Sequence, residues 1–330
     1  MIITQTPMRI TLAGGGTDVY WYSRLRGGSW ISAAIDKYVY INVTQTDDPK
    51  VLKIFDGFKY LIIDNIKQLD NQIIKECLLK VGFKNGIHIT TVSEVSPQSG
   101  LGGSGAFEVG LLNALYRFKN KKISPIKLAE ETVYIEAQKM KKPIGPQDQY
   151  IAALGGIKYF EINKKGQVSV ENLSLTKETI DKLQNNLLFF STGIRRNAET
   201  ILGDQKKKLQ KTVNTSLEVI KALDEIKELG TKVKEFLLTG QVDKFGESLH
   251  THWLIKKSLS EKVSNSKIDY WYNLALETGA LGGKIMGAGG GGWFVFYVNR
   301  NQKNFINRMS KLGLIPQQVN FDWQGTKLLT

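Results

Sequence analysis

Cysteine is almost missing from this chain. Cys77 stands alone, so no internal disulfide can form, and the apolar residues around it recur at helical spacing, which reads as core rather than as a catalytic thiol. Prolines number only 7 in 330 residues, too few for long disordered linkers. No stretch approaches the roughly 18 apolar residues of a membrane span, and the N-terminal residues lack the basic-then-apolar order of a secretory leader. A cytoplasmic protein with no membrane partner is expected. The pattern G-x-x-x-x-G-K-[ST] is absent, as are H-R-D and D-F-G, which disfavours P-loop and protein-kinase machinery.

Lysine and arginine are plentiful, 45 against 31 acidic residues, for a formal net charge of +14. That excess suits anionic ligands, but the lysines are dispersed rather than interleaved with aromatics, so much of the charge reads as a solvated face and nucleic acid is not an expected partner. The length favours two domains sharing a cleft, 1–185 and 186–330. Residues 29–46, 51–63 and 86–95 read as strands, 104–118 and 125–139 as helices, 198–238 as long helices, and 284–298 as strand, glycine loop, strand. This mixed order predicts an α+β fold.

The central motif runs Ser96-Pro97-Gln98-Ser99-Gly100-Leu101-Gly102-Gly103-Ser104-Gly105-Ala106, between a predicted strand and a predicted helix. Glycines let backbone N–H groups approach an anion, and the positive end of the following helix favours a phosphate at the same place. Gly100, Gly102 and Gly105 also satisfy G-x-G-x-x-G, but a dinucleotide reading wants a strand and an acidic residue about 20 positions on, where this chain has another helix. Gly287, Gly289 and Gly292 repeat the pattern ahead of a strand, where no helix N-terminus is offered. His250 and His252 stand at H-x-H with no third ligand evident, which argues against a zinc site.

Three motifs occur in a set order: residues 7–14 with Thr17-Asp18, then 97–106, then Lys284-Ile285-Met286-Gly287-Ala288-Gly289-Gly290-Gly291-Gly292, with Gly145-Pro146-Gln147-Asp148-Gln149 between the second and third. This arrangement resembles the GHMP kinases and spans nearly the whole chain. The resemblance implies a two-domain fold, ribosomal protein S5 domain 2-like followed by ferredoxin-like, with the active site between them. It implies ATP and Mg2+ as cofactors, Ser104 and Glu136 as metal ligands, and Pro97, Ser99, Gly100, Leu101, Gly102, Gly103, Ser104 and Gly105 around the phosphates. Asp148 matches the family's catalytic base and Arg9 the basic residue beside it. These roles suit phosphoryl transfer, which needs positioning, a metal on the phosphates and charge stabilisation.

At the first motif, where the family's sugar kinases usually carry Gly-Glu-His-x-Asp, this chain has Gly14-Gly15-Gly16-Thr17-Asp18, which speaks against galactose. That form, with Ser191 to Arg196 and Ser264-Asn265, resembles the heptose 7-phosphate kinase and fucokinase branch. The resemblance implies phosphorylation of the anomeric hydroxyl of a D-glycero-D-manno-heptose 7-phosphate, or alternatively of L-fucose. Gly15, Gly16, Thr17, Asp18, Gly289 and Gly290 are expected at the substrate, and Arg195 and Arg196 on its distal phosphate, with Lys256 and Lys257 as further candidates. A non-catalytic nucleotide-binding regulator of the same fold is the rival from another class. A homodimer is left open.

Overall fold

The computed structural model describes residues 1–195, 198–208 and 213–330. Its strands are β1 (Ile2–Ala13), β2 (Gly28–Gln45), β3 (Leu52–Phe55), β4 (Tyr60–Ile63), β5 (Ile87–Ser93), β6 (Ile157–Ile162), β7 (Val168–Asn172), β8 (Leu187–Ser191), β9 (Gly282–Ile285), β10 (Trp293–Tyr297), β11 (Ile315–Gln317) and β12 (Lys327–Leu328). The helices are α1 (Tyr20–Arg26), α2 (Gln72–Val81), α3 (Gly103–Phe118), α4 (Pro125–Val133), α5 (Gln147–Leu154), α6 (Lys177–Asn186), α7 (Ala198–Lys208), α8 (Val213–Leu238), α9 (Val242–Leu259), α10 (Ser266–Glu277) and α11 (Gln302–Lys311).

An 8-stranded sheet runs β12-β1-β2-β5-β3-β4, with β6 and β7 continuing from the other half of β2. Only the β3–β5 pairing in it is parallel. A 4-stranded antiparallel sheet runs β11-β8-β10-β9. The chain changes sheets at Leu187, yet its end returns: β12 pairs with β1, and Phe321 bridges to Ile35. Sequence division alone misses this return, because a two-residue strand carries no periodicity.

One apolar core links the two units. Met8, Ile10 and Trp30 of the large sheet and Val109 and Leu112 of α3 are continuous with Leu237, Phe245, Val295 and Tyr297 of the second unit. A separate cluster around Trp253, Trp271, Phe294 and Phe296 fills the space between the small sheet and its helices. The cleft walls are therefore anchored in packed interior rather than in loops.

Two expected elements are interrupted. Residues 51–63 form a hairpin of β3 and β4, because Asp56 Oδ1 accepts from the N–H groups of Phe58 (3.1 Å) and Lys59 (3.2 Å) while Gly57 takes φ +94°. The helix from Pro125 opens as expected, with Ser124 Oγ accepting from Lys127 N at 3.2 Å, but Tyr134–Lys139 widens into a π-helix that carries Glu136.

Candidate active site

Helix α3 starts without a side-chain cap. Its N-cap is Gly102 in the left-handed region, φ +72°, and the first described bond into the helix is Ala106 N to Gly102 O at 3.0 Å. The amides of the first turn therefore have no intrahelical acceptor, which is the arrangement that receives an anion. This turn lines a cavity of ≈ 880 Å³ between the two units.

Arg9 on β1 and Asp148 in the first turn of α5 meet beside that turn. Arg9 Nε donates to Asp148 Oδ1 at 2.6 Å, Nη2 lies 2.6 Å from the same oxygen, and Nη1 donates to Gly100 O at 2.6 Å. Both close contacts use Oδ1, so Oδ2 has no partner among the described residues. The cradle tolerates no side chain: a Cβ at Gly102 would stand 3.1 Å from Arg9 Cγ and Asp148 Cγ, and one at Gly105 would stand 2.7 Å from Asp148 Cβ. Glycine is required here for space as well as for conformation.

Ser104 Oγ lies 3.3 Å from Glu136 Oε1, which also accepts from Lys142 Nζ at 3.0 Å, while Glu136 Oε2 accepts from Gln149 Nε2 at 2.6 Å. A hydroxyl and a buried carboxylate are hard oxygen donors suited to magnesium, and a lysine ammonium already draws on that carboxylate. No group of three or more acidic, His or Cys side chains placed to hold a metal ion exists among the described residues, so a bound metal would take its remaining ligands from water and from the nucleotide. Glu108, one turn beyond Ser104, is fully buried, and neither carboxylate oxygen is hydrogen-bonded among the described residues. Burial and then the charge of Glu136 push its carboxyl well above the usual range, which favours its neutral form.

On the first-motif side, Asp18 is 1% exposed and accepts from Gly16 N (3.2 Å) and Gln147 N (3.3 Å). Burial, and secondarily the charge of Asp148, raise its pKa to about 6. From the second unit come His252, Lys256 and Lys284. Burial, then Arg9, lowers Lys284 to about 7. Lys256 Nζ donates to the carbonyl oxygens of Ile285 (2.9 Å) and Gly287 (2.5 Å).

The cavity thus unites Arg9, Asp148, Gly15, Gly16, Asp18, Pro97, Ser99, Gly100, Gly102, Gly103, Ser104, Gly105 and Glu136. Four expected residues stand behind its wall instead. Leu101 is fully buried, and its carbonyl accepts from Arg9 N at 2.9 Å. Thr17 turns inward, its hydroxyl bonded to Gly14 O and Ser29 O at 2.8 Å each. A Cβ at Gly289 would collide with Val263, and Gly290 N donates to Val263 O at 2.6 Å, so these glycines pack the loop on the segment before α10. Arg195 lines a second cavity of ≈ 770 Å³ with Lys37, Gly292 and the 96–99 segment. Lys257 pairs with Asp269 at 3.0 Å. Arg196 lies outside the described residues.

His252, Lys284, Glu108 and Lys142 were not singled out by sequence reasoning as site residues. Lys284 opens the third motif and could have been; His252 and Glu108 sit at helical positions indistinguishable from core until the fold is known.

Residues 68–156 match the model of the GHMP kinases N terminal domain, and residues 233–313 that of the GHMP kinases C terminal. The D-glycero-alpha-D-manno-heptose 7-phosphate kinase of Campylobacter jejuni is 32% identical over 342 residues, covering 99% of this chain and 98% of the relative. The galactokinase of Pyrococcus furiosus is 26% identical, covering 92% of this chain and 91% of its own. Among solved structures, a D-glycero-D-manno-heptose 1-phosphate kinase from Bacteroides thetaiotaomicron superposes with a TM-score of 0.81 at 23% identity over 100% of this chain and 99% of that one.

Proposed function

The chain belongs to the GHMP kinase family and is a sugar kinase, and on that premise we propose that it transfers the γ-phosphate of ATP to the anomeric hydroxyl of D-glycero-D-manno-heptose 7-phosphate, yielding the 1,7-bisphosphate. The observation that carries the reaction is the Arg9–Asp148 pair beside the uncapped first turn of α3. The acceptor assignment is supported by the full-length likeness to the Campylobacter heptose 7-phosphate kinase and by the side-chain-free wall at Gly15 and Gly16.

In this reading the amides of the first turn of α3 hold the nucleotide's phosphates, and the helix's positive end offsets their charge. Asp148 Oδ2 accepts the proton of the attacking hydroxyl as the new P–O bond forms and the bond from the γ-phosphorus to the β,γ-bridging oxygen breaks, releasing ADP, and Arg9 steadies Oδ1 so that the second oxygen keeps its direction. Ser104 and Glu136 would hold magnesium, whose charge, when bound, neutralises the phosphate oxygens. Asp18 accepts hydrogen bonds from sugar hydroxyls. Lys256 lines the same cavity from the second unit and serves the distal phosphate, whereas Arg195 belongs to the other cavity.

ATP consumption measured across heptose 7-phosphate, mannose, L-fucose and galactose tests the acceptor. The heptose phosphate should be preferred; preference for L-fucose would replace this reading with a fucokinase, and no turnover of any sugar would favour a nucleotide-binding regulator.

A further inference from the structure

Helix α9 and strand β9 bring His252 and Lys284 together on the wall that the second unit gives to the cavity. They are only 3% and 2% exposed, and neither has a part in the steps above. Lys284 Nζ lies 3.0 Å from the carbonyl oxygen of Leu12 on β1 and 3.1 Å from His252 Nδ1. The carbonyl can only accept, so it takes one Nζ proton; the charged amine has no lone pair, so Nδ1 must accept from it, and the neutral amine keeps a second proton that Nδ1 can accept. A neutral ring whose Nδ1 accepts carries its proton on Nε2. Burial, then Lys284 and Lys256, keep this imidazole well below its ordinary pKa, so it is neutral at physiological pH.

Nε2–H is then a donor without a partner among the described residues, on a side chain lining the same cavity as Arg9, Asp18 and Asp148. A sugar oxygen needs both kinds of neighbour. Asp18, as a carboxylate, can only accept, and Gly15 and Gly16 bring no side chains. We propose that His252 is a substrate-recognition residue whose Nε2–H donates to an oxygen of the bound sugar, and that Lys284 is the positioning residue that fixes its tautomer and direction. The proposal rests on the sugar-kinase reading and names the donor half of its acceptor site.

The chain has only 3 histidines, so imidazole nitrogen NMR of the labelled protein can assign His252 against His88 and His250. His252 should appear as the Nε2–H tautomer, and Lys284→Met should release that preference. A wild-type ring found as Nδ1–H or as imidazolium overturns the pair. In kinetics, His252→Phe should raise KM for the acceptor by roughly 3- to 10-fold while KM for ATP stays within about twofold, the loss of one neutral hydrogen bond. His252→Gln, which can place an amide N–H near the lost Nε2–H, should recover most of that loss. Equal effects on both substrates, or none on the acceptor, overturn the contact. A wild-type enzyme that phosphorylates no sugar would sink the kinase reading by itself, while the tautomer measurement still decides whether Lys284 orders the ring.

Discussion

Residues 100–105 and 287–292 both spell G-x-G-x-x-G, but the first leads from β5 into α3 and the second joins β9 to β10. The first presents a helix N-terminus to the cavity. The second presses on the first: a Cβ at Gly292 would stand 2.1 Å from Ser99 O, Trp293 N donates to that oxygen at 3.1 Å, and Gly292 O accepts from Thr192 N at 2.9 Å. Glycine in one loop makes room for Arg9 and Asp148 beside the cavity, and in the other it makes room for the first loop. The same spelling serves two roles, and the element after it, helix or strand, decides between them.

The largest expected effect separates the two loops. Gly102→Val should eliminate measurable turnover and lower Tm by only a few degrees, because at φ +72° it is strained but its Cβ meets the Arg9 and Asp148 side chains at 3.1 Å rather than backbone. Gly292→Val meets backbone at φ +90° and should lower Tm by more than about 10 °C, as expected for a loss of several kcal/mol. Thermal melts and turnover on the two variants check this; similar melting losses in both would erase the distinction.

Asp148→Asn tests the cavity side alone. It should reduce kcat by about 100-fold or more with nucleotide affinity nearly unchanged, the loss of a general base. Near-normal turnover would remove the base from the cradle and leave Arg9–Asp148 as scaffold.

Asp18 extends the comparison to the first motif. Its folded pKa of about 6 exceeds the ordinary value of 3.8, so the folded state holds this proton more tightly than the unfolded one. The stability it contributes is therefore present below about pH 4 and is lost as pH rises to 6. Asp18→Asn should melt higher than wild type above pH 6, by about 1–2 kcal/mol after allowing for one mismatched hydrogen bond, with no such gain at pH 4. A pH-independent difference would show that Asp18 does not titrate in this window.

The smallest effect concerns the metal. Ser104→Ala and Glu136→Gln should each raise the magnesium concentration for half-maximal rate, by about threefold to tenfold, since each removes one hard oxygen among several ligands. Unchanged magnesium titrations in both variants would leave the π-helix carboxylate without a metal role.

Much of the glycine loop before α3 was legible because its signals are local: a strand, a glycine run and a helix within residues 86–118 appear as β5 and α3 nearly where periodicity sets them. The roles expected of Asp148 and Glu136 rest on family resemblance, since a carboxylate in a helix has no local mark of function. What stayed hidden depends on contacts between distant positions. Thr17 is expected at the substrate, but its hydroxyl is bonded to Ser29 O, and Arg195 is expected on a phosphate, but the segment after β8 leaves it lining the other cavity. His252 could not be read, because its partner Lys284 is 32 residues away on another element. Glu108 gave no warning either: one acidic residue on an apolar helix face looks like an error of pattern until Glu136 lies beside it.

The seating of one glycine loop on the other also sets a clock on the ribosome. Every residue of the phosphate cradle has been synthesised by position 148, but Ser99 waits for Gly292 and Trp293, and Leu12 for Lys284, 272 residues downstream. Contacts so distant in sequence close last during vectorial synthesis. A nascent chain halted between α5 and β9 therefore owns Arg9 and Asp148 yet lacks the contacts that seat the loop beside them, and the cavity is complete only once β9 and β10 have emerged.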